Sequence, residues 1–201
     1  MRPTDILSSE HRVIEQVLDC LEAMATRARS EGRLDVERAE KALEVVRTFA
    51  DRCHHGKEEE RLFPMLVARG MSTHVGPIAV MLDDHRAGRE YVRHMVEACA
   101  AADAARFVPA ALGYVGLLRD HIAKEDGVLF PMAETMLDEA ARAALLESFR
   151  TFEREDLGEG THERMLALAN ELADYYGVER AANRSAGGTA SGHCGHGATC
   201  H

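Results

Sequence analysis

The sequence predicts an all-α protein: an up-down-up-down four-helix bundle with one or two additional helices at its C-terminal end. Three observations carry this reading. The 201 residues are rich in Ala, Leu, Val, Glu and Arg, with 5% aromatics and no Trp, a composition of good helix formers. Apolar residues recur at spacings of three and four through six stretches. The chain also repeats itself. His54-His55-Gly-Lys57-Glu58-Glu59-Glu-Arg-Leu-Phe-Pro64 returns as His121-Ile-Ala-Lys124-Glu125-Asp126-Gly-Val-Leu-Phe-Pro131. Upstream, Glu10-His11-Arg12 matches Asp84-His85-Arg86. Each half thus reads as a helical hairpin, and two hairpins stacked antiparallel make the bundle.

The first helix is expected to be capped by Thr4 or Asp5 and to run to about Ser30, before Glu31-Gly32. Its stripe is Leu7, His11, Ile14, Leu18, Leu21 and Ala25. The second starts near Asp35 and presents Leu43, Val46, Ala50, His54, Glu58 and Leu62; Pro64 should kink or end it. The third presents Ile78, Met81, His85, Gly88, Val92 and either Met95 or Val96. The fourth, from about Asp103, presents Phe107, Ala111, Tyr114, Leu118, His121, Glu125, Val128 and Met132, with Pro131 breaking it. In all four helices a histidine takes a place that the period reserves for the core. A fifth helix, about Asp138 to Glu155, and a sixth, Thr161 to about Tyr176 with Met165, Leu168 or Ala169, and Leu172, should pack outside the bundle. Residues 1–180 then form the bundle with its C-terminal helices, and 181–201 a Gly-, His- and Cys-rich tail without apolar period.

Lys plus Arg number 24 against 34 Asp plus Glu, for a formal charge of −10. A nucleic-acid or anionic-membrane surface wants the opposite sign, so neither is an expected partner. No apolar run reaches the ~18 residues of a membrane span, and Met-Arg-Pro-Thr-Asp does not read as a signal peptide. The five cysteines, an odd count, fit a reducing, cytoplasmic setting. Cys20, Cys53 and Cys99 read as small core residues.

Histidine and glutamate four apart lie on one helix face, a natural pair of metal donors. Four such pairs occur: His11 with Glu15, His54 with Glu58, His55 with Glu59, and His121 with Glu125. The repeat selects His54, Glu58, His121 and Glu125. On an α-helix His55 and Glu59 turn about 100° away from the seam, and Glu15 reads as a surface carboxylate. Helix-face position and the pseudo-symmetry of the halves add His11 and His85. Four imidazoles and two carboxylates exceed what one four-coordinate zinc needs, while Ca²⁺ and Mg²⁺ prefer all-oxygen shells. Mixed N/O donors with open positions suit non-haem iron, with two glutamates bridging two irons and two histidines on each. Ferritin-like centres use Glu-x-x-His on two helices; here Glu159 to His162 is the single instance.

On these residues, in the order H…HxxxE…H…HxxxE with both Leu-Phe-Pro endings, the chain resembles the hemerythrin-like, or HHE cation-binding, family across roughly residues 4 to 135. The resemblance implies an oxo- or carboxylate-bridged di-iron centre that reacts with O₂, NO or peroxide. It also implies a departure. Oxygen-carrying members have a fifth histidine one turn from the third-helix ligand, where this chain has Met81 and Arg89. They also use an Asp five after the fourth-helix His; Asp126 stands there, but Glu125 matches the internal repeat. A more open centre favours redox reaction or ligand sensing over O₂ storage. The expected activity is therefore peroxide- or O₂-reducing, or gas-binding, with a redox partner the sequence does not identify. The alternatives are a sensor or storage module for O₂, NO or iron, and an iron donor for iron–sulfur cluster repair. Repair members usually carry an N-terminal cysteine-bearing domain, which is not expected here. A monomer or homodimer is expected.

Lys57 and Lys124 read as a solvated helix face, Tyr114 as core, and His74 and His94 as surface. Gly88 offers either room for a small ligand or a close helix contact. His162 opens the sixth helix, with a supporting role at the centre left open. No side chain stands out as a proton donor. In the tail, His193, Cys194, His196, Cys200 and His201 form a cluster of softer donors suited to Zn²⁺, Cu⁺ or Ni²⁺.

Overall fold

A computed structural model describes residues 1–158 and 160–184, and every regular element among them is helical. Helix α1 spans Pro3–Glu31. Helix α2 spans residues 36–67, from an α-helical start at Val36–Val45 through wide π turns at Val46–His55 and Glu58–Leu62 to Phe63–Val67. Helix α3 is Pro77–Ala100. Helix α4 spans residues 104–136, with a π turn at Glu125–Leu129. Helix α5 spans residues 139–157, α6 is Thr161–Tyr176, and a short α7 is Ala181–Arg184. The first four form the ring of the bundle, each packed on its neighbours in sequence, with α4 closing back onto α1. Helix α6 lies along α1 and α2, and α5 crosses the far end.

The starts follow local chemistry. Asp35, Asp103 and Asp138 each accept a hydrogen bond from the backbone N–H three residues on, satisfying a donor the helix leaves free. At α1 the expected cap shifts: Arg2 is the N-cap, Pro3 takes the first helical position, and Asp5 accepts the Arg2 N–H at 2.8 Å. Gly32 (φ 67°) closes α1 in the left-handed region that glycine adopts freely.

The prolines do not end their helices. The N–H of Phe63 donates to the Glu58 carbonyl, and that of Phe130 to the Glu125 carbonyl, each five residues back. Proline lacks a donor, and its ring collides with the carbonyl four residues before it. A widened turn directly ahead opens that stretch of backbone, and each helix continues. A π turn also holds one residue more than an α turn, so the buried face beyond it moves on by one. That corrects two expected core residues of α4. Val128 is 50% exposed and Met132 39%, while Leu129 and Ala133 are fully buried. Elsewhere the stripes resolve to Met95 over Val96 and Ala169 over Leu168.

The core consists of two apolar clusters. One gathers Ile14, Leu18, Leu43, Phe49, Phe107, Tyr114 and Leu118 with Met165 and Leu172 of α6. The other gathers Leu7, Leu62, Phe63, Ile78, Met81, Leu129 and Phe130 with Leu145 and Phe149 of α5. Along each bundle helix the change from one cluster to the other falls at a histidine. A buried polar layer fills the gap.

Candidate metal centre

That layer consists of His11, His54, His55, Glu58, His85, His121 and Glu125, all at most 4% exposed. Their donor atoms fall into two groups, each within 4.8 Å: His11, His54, Glu58 and Glu125, and His55, Glu58, His85 and His121. The structure thus brings all six sequence-selected residues together, with Glu58 common to both groups. His11 Nε2 lies 3.0 Å from His54 Nε2 and 3.1 Å from Glu125 Oε2. On the other side His85 Nε2 lies 3.2 Å from His121 Nε2 and 3.5 Å from Glu58 Oε2. Glu125 Oε2 also lies 3.2 Å from His121 Nε2, so Glu125 too reaches both sides.

Behind the four histidines of the two half-motifs stands a ring of acids. Each donates its Nδ1–H to a carboxylate: His11 to Asp126 at 2.9 Å, His54 to Glu10 at 3.0 Å, His85 to Glu59 at 2.7 Å and His121 to Asp84 at 3.3 Å. The pattern follows the duplication. The acid before each odd-helix histidine holds the even-helix histidine, and the acid after each inner glutamate holds the odd-helix histidine. Such bonds fix the tautomer, leave Nε2 facing inward and raise its basicity. Asp126 therefore supports His11 and stays outside the inner groups, and Glu59 does the same for His85.

Cations complete the ring. Arg12 donates to Asp126 at 2.6 Å, Arg89 to Glu59 at 2.8 Å and Lys124 to Asp84 at 2.5 Å. Lys57 contacts Glu10, and Glu153 of α5 at 2.6 Å. Lys57 is fully buried, so its expected place on a solvated face is corrected: α5 covers it. Lys124 keeps a 40% exposed side chain. His162 joins this outer network, with a donor atom within 4.8 Å of those of Glu10, Cys53 and Glu153. Gly88 makes a helix contact, since a Cβ there would meet Tyr114 and Leu118 at 3.6 Å.

His55 is the second correction. In place of the α-helical turn that would carry it off the seam, residues 46–55 are wound as π-helix. His54 faces His11, and His55 stacks on His85 with ring centroids 3.9 Å apart. A doubled histidine directly before the motif was the signal, and an α-helical period hid it.

Electrostatics are those of a layer built around charge. Burial opposes a charge on His11, but Asp126 and Glu125 outweigh it and push its pKa up to about 9. His85 likewise rises to about 9, burial being outweighed by Glu58 and Glu59. Glu125 sits well below the usual carboxylate range: burial would raise it, and His121 and His11 hold it down. His55 is pushed far down, by burial first and then by His85, His121 and His54, which leaves the neutral imidazole that metals bind. Both nitrogens of His55, both oxygens of Glu58 and Oε1 of Glu125 are buried without a hydrogen-bond partner. Atoms so costly to strand fit a metal between them, and the donor set of imidazole and carboxylate fits iron.

Fold and site together define an all-helical bundle protein with a buried cation-binding layer. The family profile described as hemerythrin HHE cation binding domain matches residues 2–133, and the chain belongs to that family. Relatives include uncharacterized proteins of Mycobacterium bovis and of two strains of Mycobacterium tuberculosis, each 23% identical over 182 residues, 88% of this chain and 70% of theirs. No solved structure matches significantly. Among the described residues no helix is long and apolar enough to cross a membrane. The His193–His201 cluster lies outside the described residues.

Proposed function

We propose that this chain is a non-haem di-iron protein whose centre reacts with O₂, peroxide or NO. The observation that carries the reading is the buried layer itself: inward Nε2 atoms, each backed by an acid, around carboxylate oxygens with no other partner. His11 and His54 would hold one iron and His85 and His121 the other, with Glu58 and Glu125 between them. Bound iron would supply electron transfer to, or reversible binding of, a small oxidant or diatomic ligand. The protein's part is to fix the donors and keep them dry. Leu7, Phe63, Met81 and Phe130 close one side of the layer and Ile14, Tyr114 and Leu118 the other. A surface groove of about 1120 Å³ between α2 and α3 is lined by Asp51, Glu59 and Arg89, the outer partners of the His55–His85 side of the layer.

The test is metal analysis followed by peroxide. Protein purified in air should hold about two irons per chain and absorb in the near-ultraviolet, and His54→Ala or His121→Ala should lose that iron. Low iron that neither substitution changes would overturn the reading. Peroxide added to loaded protein then divides turnover, seen as steady O₂ release or reductant consumption, from a single spectral shift that means binding alone.

A further inference from the structure

We infer that His55 is a seventh protein ligand, giving the ion held by His85 and His121 a third imidazole and leaving two for the ion held by His11 and His54. The inference rests on the di-iron reading and deepens it. Sequence symmetry argues against this histidine, because its counterpart in the second copy of the motif is Ile122. The structure argues for it in three ways. A His55 ring nitrogen lies within 4.8 Å of donors from Glu58, His85 and His121. Both His55 nitrogens are buried and unpartnered, while each of the other four inner histidines spends Nδ1 on a carboxylate. The nearest acid to His55, Asp51, is 3.5 Å from Nδ1 and is engaged by Arg89. A buried imidazole with no hydrogen-bond partner is costly to strand, and a metal ion would satisfy it.

The helix explains why the residue is available. Helix α2 is wound as π-helix over Val46–His55, and α4 has no such stretch before His121. Two consecutive histidines of α2 thereby serve two neighbouring points on the seam. Gly56 follows, where a Cβ would lie 2.6 Å from the Phe152 ring of α5, so the backbone beside His55 is held close under that helix. The duplicated halves thus give an unequal centre: the odd imidazole comes from the second helix, beside His54, rather than from the third.

The experiment counts ligands. In wild-type protein loaded with diamagnetic zinc, the imidazole nitrogen NMR spectrum should show five metal-shifted ring nitrogens; four overturns the inference. In parallel, His55→Ala and the near-isosteric His55→Gln are loaded with Fe²⁺ and their metal content and affinity measured. Loss of one of two equivalents, or at least a tenfold weaker second equivalent, supports the inference, and recovery of that equivalent on adding free imidazole to His55→Ala supports it further. Folded variants that bind two equivalents as tightly as wild type overturn it. If neither variant folds, the wild-type nitrogen count decides. Wild-type protein that takes up no second ion instead removes the di-iron reading itself.

Discussion

Each of His11, His54, His85 and His121 gives one nitrogen to the centre and the other to an acid. Removing an acid leaves the ligand in place but frees its ring, so Glu10→Gln or Asp126→Asn should weaken metal binding by roughly 10–100-fold, read by competition with a chelator. Unchanged affinity in both would show that the acids only fill space. The same nitrogens set a pH dependence. His11 and His85 rise from 6.5 unfolded to about 9 folded, so their protonated forms stabilise the metal-free fold below about pH 6.5, and that contribution is lost as pH rises through 9. Thermal midpoints of chelated protein should therefore fall from pH 6.5 to 9. Metal uptake displaces the same protons and should strengthen over that window. A flat midpoint would contradict the charged pairs. The inner residues that share a motif and a helix face, His54, Glu58, His121 and Glu125, were legible in the sequence, as were His11 and His85 by symmetry. His55 and Lys57 were not, because their burial depends on a π turn and on α5, neither of which leaves a mark in the repeat.

At the level of elements, the two halves share a pattern and differ in what covers them. Lys57 and Lys124 are equivalent in the repeat, yet α5 lays Phe149 and Glu153 over Lys57 and leaves Lys124 open. Truncating a buried ion-pair partner strands a charge and costs about 3–5 kcal/mol, whereas the Lys124–Asp84 pair, with Lys124 40% exposed and screened by solvent, should lose less. Urea unfolding of Lys57→Met against Lys124→Met should show that inequality; equal losses would mean that α5 does not shield the first copy. The helix starts at Asp35, Asp103 and Asp138 were readable because an N-cap is local chemistry, while the cap expected at Thr4 or Asp5 fell to Arg2. The faces of α4 beyond Glu125 were not. A fixed 3.6-residue period placed Val128 and Met132 inside, and one extra residue in the turn ahead of Pro131 brought Leu129 and Ala133 in instead. The prolines that announced helix ends mark wide turns at the ligands.

For the whole molecule, the consequence of the polar layer is a core cut in two. Its apolar clusters meet across charged pairs such as His11–Glu125 and across the partnerless atoms of His55 and Glu58. A metal that binds only the folded chain stabilises it by mass action, about 2.7 kcal/mol per ion at a free concentration a hundred times its Kd. At about 2–4 °C per kcal/mol for a chain of this size, chelation should lower the midpoint by roughly 5–11 °C per ion. The loss should be local first. Amide exchange on chelation should accelerate at residues 46–62 and 121–130, where the wide turns carry the ligands. The apolar end around Leu18, Leu21 and Met24, braced by α6 and α7 through Gln16, which donates to the Ala169 carbonyl and accepts the Ala181 N–H, should keep its protection. Uniform acceleration along all four bundle helices would mean instead that the layer and the core unfold as one unit, and that the metal holds the whole bundle rather than its waist.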